Sequence, residues 1–276
     1  MNQTGEDFPK ICLFGDGRMS RALQQTAEER GVNVTTVING DELRNGWPRK
    51  KGDLKGAEVG IDFSGADGVI GSVKRSVELG LPLVVGTTGW QGITAEVEGI
   101  VHNGEGALLH SPNFSISGPL LFHLVALAGS WLERAGSFDP FISETHHADK
   151  KDAPSSTALR LGEILLERLS EKDLLQVGSS AGERSPNQLS VASARAGSSP
   201  GRHVVGFDGT HESIELIHAV RDRRAYAVGA LQAATWLVGR TGVFTMMDVV
   251  ADLTREALAD LPDQADPAEG TIDAHQ

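Results

Sequence analysis

Residues 144 to 157, ETHHADKKDAPSST, bring His146, His147 and Lys150 up to what reads as the start of a helix. Imidazoles exchange protons near neutral pH, and an ammonium group attracts anions. In Asp152-Ala-Pro-Ser-Ser-Thr, Pro154 opens the turn, and the hydroxyls of Ser155, Ser156 and Thr157 are placed to cap free N–H groups. The N-terminus of such a helix accepts a carboxylate. With Lys150 beside it and His146 four residues earlier, the stretch reads as a carboxylate cradle next to a proton donor. A hydride donor close by would make it a reductase site for a small carboxylic acid. Two plainer readings compete. Adjacent histidines point different ways, so one can be core and the other surface. A metal site needs more ligands, and no third His, Cys or Glu falls at a recognisable ligand spacing, so no metal is expected.

The hydride donor has a place near the other end of the chain. FGDGRMSRA, residues 14 to 22, follows an apolar run and precedes a helical pattern. Glycines there let the backbone turn tightly and approach a pyrophosphate at a helix N-terminus. Gly15, Asp16, Gly17, Arg18 and Met19 are the candidate cofactor contacts, with Ser20 where the pattern G-x-G-x-x-G has its third glycine. The acid expected at the end of the second strand, which would bind a ribose 2′-OH, is replaced by Asn39. Weak discrimination between NADH and NADPH, or some preference for NADPH, follows. GTTGW (86–90) and SPNFS (111–115) close two further strands and supply Gly86, Thr87 and Thr88, and Ser111, Pro112, Asn113 and Phe114. Ligands of open α/β sheets bind at such strand ends, although both loops could be ordinary turns.

The elements that must hold these groups fall in two blocks. KICLFG (10–15), VNVTTVIN (32–39), AEVGIDFS (57–64), LPLVVGTTG (81–89) and GALLHSPNFS (106–115) read as strands alternating with helices. That rhythm predicts a parallel, doubly wound, Rossmann-like sheet. After Phe114 come an apolar helix, the strand FDPFISETHH, an amphipathic helix from Ser155, three clustered strand candidates and a last long helix. This half reads as an α+β domain with an open mixed sheet, an architecture that commonly pairs with a partner subunit. The expected division is a dinucleotide-binding domain over 1–114 and a substrate-binding and oligomerisation domain over 115–224. Helices from about 225–252 return to the first domain, and 253–276 form an acidic tail.

Composition narrows the function classes. The formal net charge is −12, which argues against a nucleic-acid partner. An anion site must therefore be built locally. One cysteine, Cys12, rules out a disulfide framework within the chain. Neither an N-terminal apolar segment nor a membrane-length apolar run appears, so a cytoplasmic protein with no membrane partner is expected.

ETHHADKKDAPSSTA resembles the E-x-H-H-x-x-K-x-D-A-P-S-G-T-A signature of the dihydrodipicolinate reductase family. IDFS, VVGTTGW, SPNFSISG, ARAGSSPGRHVVGFDGTHESIELIH and RDRRAYAVGALQAATWL follow in family order, so the resemblance spans roughly residues 10 to 250. It implies NADH- or NADPH-dependent reduction of 4-hydroxy-tetrahydrodipicolinate to tetrahydrodipicolinate, in diaminopimelate and lysine biosynthesis. It also implies His146 as acid/base, Lys150 as proton donor or electrostatic catalyst and His147 as a substrate contact. Ser155, Ser156 and Thr157 would sit at the substrate carboxylate, and the three glycine-and-serine loops would line the dinucleotide. A homotetramer built on the C-terminal sheet is implied too. The chain departs from the family in three places: its first loop is a residue shorter and ends in Ser20, Ser156 replaces a glycine, and Arg202 stands where glutamate is common. A diverged reductase of another cyclic imine or amino acid is the alternative. A non-catalytic dinucleotide sensor on the same fold is a further one, which would need neither His146 nor Lys150.

Overall fold

The computed structural model describes residues 8–45, 51–136, 138–178 and 185–259. The first residues of the chain and the end of the expected acidic tail lie outside them.

The first sheet has six parallel strands in the order β11-β5-β4-β3-β1-β2. They are β1 (Ile11–Phe14), β2 (Val34–Ile38), β3 (Val59–Asp62), β4 (Leu83–Val85), β5 (Ala107–His110) and β11 (Gly242–Phe244). Every residue of β1, β3 and β4 is buried, as expected for parallel strands covered on both faces. On one face lie α1 (Arg18–Arg30), α7 (Arg224–Leu237) and α8 (Met246–Ala259), packing Leu23, Leu231 and Val249 against Leu13 and Ile61. On the other lie α3 (Val69–Glu78) and α4 (Thr94–Asn103), packing Val73 and Val97 against Phe14 and Val85. The short α2 is Gly40–Asn45. The chain runs outward from β1 to β2 and then crosses to β3 on the other side, so the strand order reverses between β1 and β3.

The second sheet is mixed and ordered β10-β9-β6-β8-β7. Its strands are β6 (Phe138–His146), β7 (Leu174–Val177), β8 (Gln188–Arg195), β9 (Arg202–Gly209) and β10 (Ser213–Ala219). Helices α5 (Ser117–Ala135) and α6 (Ser156–Leu166) cover one face through Val125, Leu161 and Leu165, against Ile142, Val191 and Val205. Side chains alternate along β6, and Ile142 points to this core. Glu144 and His146 therefore point the same way and are buried with it. The fold class read from the sequence agrees with this architecture. Two strands, β7 and β11, were not anticipated. The last helix continues to Ala259, past the expected break at 252.

Candidate active site

A groove of about 590 Å³ opens where the strand order reverses, lined by Gly15, Asp16 and Gly17 after β1 and by Ser64, Gly65 and Gly68 after β3. Gly15 has φ +99°, and a Cβ there would meet the Ser64 Cα at 2.8 Å. Glycine is thus required by both backbone and neighbour. Beside Gly17 and Gly65 the opposite holds: no atom lies within 4 Å of where a Cβ would stand. That open floor, under the uncapped N-terminus of the thirteen-residue α1, fits a dinucleotide pyrophosphate. Ser20 is buried in α1 at 2% exposure and turned from the groove. Asn39 caps α2: its Oδ1 accepts from the Glu42 N–H at 3.0 Å, and its own N–H donates to Glu42 Oε2 at 2.9 Å.

One buried carboxylate ties two of the loops together. Asp62 Oδ1 accepts from the Ser64 N–H (2.8 Å), the Ser64 hydroxyl (2.6 Å) and the Thr87 hydroxyl (3.2 Å). Gly86 leaves room for the Phe63 ring, which a Cβ would meet at 2.0 Å. Thr88 lies with Ser111 and Pro112 in a smaller recess. Ser111 donates its hydroxyl proton to the Asn113 carbonyl at 2.6 Å, and Asn113 Oδ1 accepts from the Ser115 N–H at 2.8 Å. The Phe114 side chain belongs to the core: it is 2% exposed and packs edge-on against Phe63. Arg18 and Met19 begin α1 and do not line the groove.

Next to the β5 loop a second cavity, about 370 Å³, spans the two sheets. Ser111, Pro112 and Asn113 form one side; His146, Thr157 and Gly201 form the other. His146 ends β6, and its Nδ1 lies 2.7 Å from Glu144 Oε2, a close polar contact that is not aligned as a hydrogen bond. Its Nε2 faces Gly201, whose Cβ, if present, would stand 2.9 Å away. Glu144 is fully covered. Its Oε1 accepts from the Ser155 N–H (3.0 Å) and from Arg195 Nη2 (2.8 Å). Burial would raise the Glu144 pKa, but hydrogen bonds from Ser155, Arg195 and Ser193 outweigh it and hold it at about 2. Register pairs Glu144 with His203 across β6 and β9. His203 Nε2 sits 3.7 Å from Glu144 Oε2 and 3.1 Å from the Ser155 hydroxyl. Burial, with help from His146, pushes the His203 pKa down to about 4. Burial also lowers His146, against the pull of Glu144 and with Lys150 and Arg195 adding to the drop. His218, on the same side, and His110, on the β5 side of the cavity, are lowered chiefly by burial.

Glu144, His146 and His203 offer donor atoms within 4.8 Å of one another. A dication there would stand beside the Arg195 guanidinium, which already neutralises Glu144. Additional positive charge in the cluster is therefore disfavoured, as the lowered pKa values of its two imidazoles also indicate.

The predicted site residues divide. His146 and Thr157 reach the cavity. His147 does not line it. Lys150 Nζ donates to both oxygens of Asp152, at 2.7 and 2.8 Å, on the loop leading to α6. Ser155, rather than the residues after it, is the N-cap: its hydroxyl accepts from the Ala158 N–H at 3.2 Å and is buried. Ser156 is the first helical residue and is exposed. Sequence reasoning assigned no role to Glu144, Arg195, Gly201, His203 or His218. Period-two alternation along β6 could have found Glu144.

A glycine-floored groove beside an imidazole-lined cavity fits the class of nicotinamide-dependent oxidoreductases. Residues 9–114 match the family model for the N-terminus of dihydrodipicolinate reductase, and 119–250 the model for its C-terminus. The 4-hydroxy-tetrahydrodipicolinate reductase of Aquifex aeolicus is 38% identical, over 85% of this chain and 95% of its own length. That of Ralstonia nicotianae is 35% identical, over 84% and 86%. The fold matches a dipicolinate-bound dihydrodipicolinate reductase from Paenisporosarcina sp. TG-14 with a TM-score of 0.66 at 17% identity, covering 86% of this chain and 97% of the other. The chain belongs to the dihydrodipicolinate reductase family.

Proposed function

We propose that this chain reduces 4-hydroxy-tetrahydrodipicolinate to tetrahydrodipicolinate with NADH or NADPH, releasing water. The carrying observation is the single cavity that sets His146 and Thr157 opposite Ser111 to Asn113 of a cofactor-side loop. Relatives named for this reaction support the reading. A reduced nicotinamide, when bound, supplies the hydride that goes to C4 of the cyclic substrate. The residues of the chain do the rest. Glu144 steadies the His146 ring from its Nδ1 side, leaving Nε2 toward the cavity to hold or give a proton. Thr157, in the first turn of α6, offers its hydroxyl and the helix N-terminus to a substrate carboxylate. Lys150, two residues from Asp152, adds positive charge at the loop before that helix and assists proton transfer to the departing hydroxyl. Gly15 to Gly17 and Gly65 hold the dinucleotide, with the loops at Gly86 to Thr88 and Ser111 to Asn113 toward the nicotinamide.

The division of labour follows the sheets. The six-stranded sheet with α7, β11 and α8 is the cofactor domain, and residues 115–224 form the substrate domain. A homotetramer built on the second sheet is supported by apolar side chains of β10 left outside the cores: Ile214 is 46% exposed and Ile217 52%. Among the described residues no helix is long and apolar enough to cross a membrane. A biosynthetic role of this kind supports a cytoplasmic location.

The test couples the purified protein to an enzyme that condenses pyruvate with aspartate semialdehyde and follows NAD(P)H oxidation. Oxidation that requires both the upstream enzyme and this protein supports the reading. Its absence would favour a reductase of a different cyclic imine, the reading that Ser156 in place of glycine keeps open.

A further inference from the structure

The loop that carries Lys150 runs from the end of β6 to the start of α6, and few bonds hold it down. At its base the Ala148 N–H donates to the Gly197 carbonyl at 3.1 Å, and within it the Lys150 N–H donates to the His147 carbonyl at 3.1 Å. At its far end the Ser155 N–H donates to Glu144 Oε1 at 3.0 Å. Between these, among the described residues, one hydrogen bond reaches residues 149–154 from another element: Arg195 Nη2 donates to the Asp152 carbonyl. The Lys150 ammonium grips the carboxylate of that same Asp152, a bond inside the loop that does not tie it to the fold.

We propose that Arg195 is a positioning residue for the reduction: its guanidinium fastens the Lys150 loop to the strand of His146, and so sets where the ammonium stands relative to the imidazole. The inference rests on the functional reading above and deepens it. Arg195 ends β8 in register with His146, and the ladder continues one step further, from the Ala196 N–H to the His146 carbonyl at 2.9 Å. Three acceptors fix the guanidinium plane. Nη1 donates to the Ala194 carbonyl at 2.8 Å, and Nη2 divides its hydrogens between Glu144 Oε1, at 2.8 Å, and the Asp152 carbonyl. Glu144 is fully covered and the Arg195 side chain is 17% exposed, so water competes little for these bonds. Because Glu144 Oε1 also accepts from Ser155, the Glu144–Arg195 pair grips the loop on both sides of Ala153 and Pro154. A planar fork of fixed donors suits that task, and the single ammonium of a lysine does not reproduce it. Neutralising Glu144 needs only a positive charge, whereas holding the Asp152 carbonyl needs this geometry. The two roles can therefore be separated.

Arg195→Lys is the test variant, because it keeps a positive charge beside the buried Glu144, which Arg195→Ala would leave uncompensated. Hydrogen exchange, read peptide by peptide in the free protein, should quicken about tenfold over residues 147–155 and stay unchanged over β9. In the coupled assay kcat should fall about 10- to 100-fold, as for a reacting group displaced by about 1 Å, with the dissociation constants of NADH and NADPH unmoved. In a Lys150→Ala background the same substitution should cost less than about threefold, because the group it positions is already gone. Damage spread through the fold would instead multiply with the loss from Lys150→Ala. Unaltered exchange over the loop overturns the proposal, as does a kcat within about threefold of wild type or an equal loss in both backgrounds. The exchange measurement needs no turnover. Wild-type protein that does not reduce the substrate removes the functional reading, while quickened exchange still shows Arg195 holding the loop; normal kinetics in Arg195→Lys removes this inference and leaves the functional reading standing.

Discussion

His146 Nε2 and the Gly201 α-carbon face each other so closely that a methyl group on Gly201 would lie 2.9 Å from the ring nitrogen. Gly201 also has φ +147°, a conformation that side chains disfavour. Gly201→Ala should therefore strain the backbone and push the imidazole from its place over Glu144. Misplacement of a reacting group by about 1 Å costs roughly 10²-fold. A drop in kcat of that order, with cofactor affinity unchanged, is expected from steady-state kinetics and cofactor titration. Wild-type kcat would show that His146 Nε2 is not the proton-transferring atom.

Lys150→Ala should lower kcat on the order of 10²- to 10⁴-fold, the usual loss for one proton-transfer or charge-stabilising group. Because Lys150 lies on the loop before α6 and does not line the α1 groove, NAD(P)H dissociation constants should not move. Activity within a few-fold of wild type would remove Lys150 from the reaction.

Asn39→Asp preserves an acceptor for the Glu42 N–H, so α2 should keep its cap. The added carboxylate should then shift the ratio of cofactor dissociation constants toward NADH by repelling a 2′-phosphate. An unchanged ratio would mean that the ribose lies elsewhere.

Gly229 of α7 meets the β5 loop with no clearance: a Cβ would stand 1.7 Å from the Phe114 carbonyl oxygen. Gly229→Ala must push α7 off the sheet or move the loop that carries Ser111 to Asn113. A loss of about 1–3 kcal/mol in denaturant unfolding is expected, as for other overpacked cores. An unaltered unfolding midpoint and unaltered kinetics would show that the two segments separate without cost.

Stability should fall on mild acidification. His203 is neutral in the fold down to about pH 4 but takes a proton near 6.5 once unfolded. The unfolded chain then binds more protons, so the contribution of neutral His203 is complete above pH 6.5 and is lost as pH falls toward 4. One such proton changes stability by about 1.4 kcal/mol per pH unit within that window. Glu144, held at about 2 against 4.5, loses its contribution over the next window down. In urea titrations His203→Gln should flatten the upper part of the slope. An equal slope in both proteins would mean that His203 is not the group concerned.

Much of this protein was legible in the order of its residues. Apolar runs ending in glycine at Gly15 and Gly86 marked buried parallel strands and the loops that follow them, because a strand covered on both faces must be apolar throughout. Pro154 and the hydroxyls after it marked the start of α6 for the same local reason: free N–H groups there need acceptors. The strands β7 (LLQV) and β11 (GVF) carry little strand signal of their own because they are short and partly exposed, and their pairing with β8 and β5 is what makes them strands. Tertiary structure alone decided the surroundings of His146. His146 and Lys150 were visible as neighbours in sequence, yet Lys150 turned to Asp152. The partners of His146 came from Glu144 beneath it, Arg195 on β8 and His203 on β9. Which residue faces which across a sheet is set by register, and register is set by the whole buried face at once, so no local pattern around residue 146 could have named residue 203.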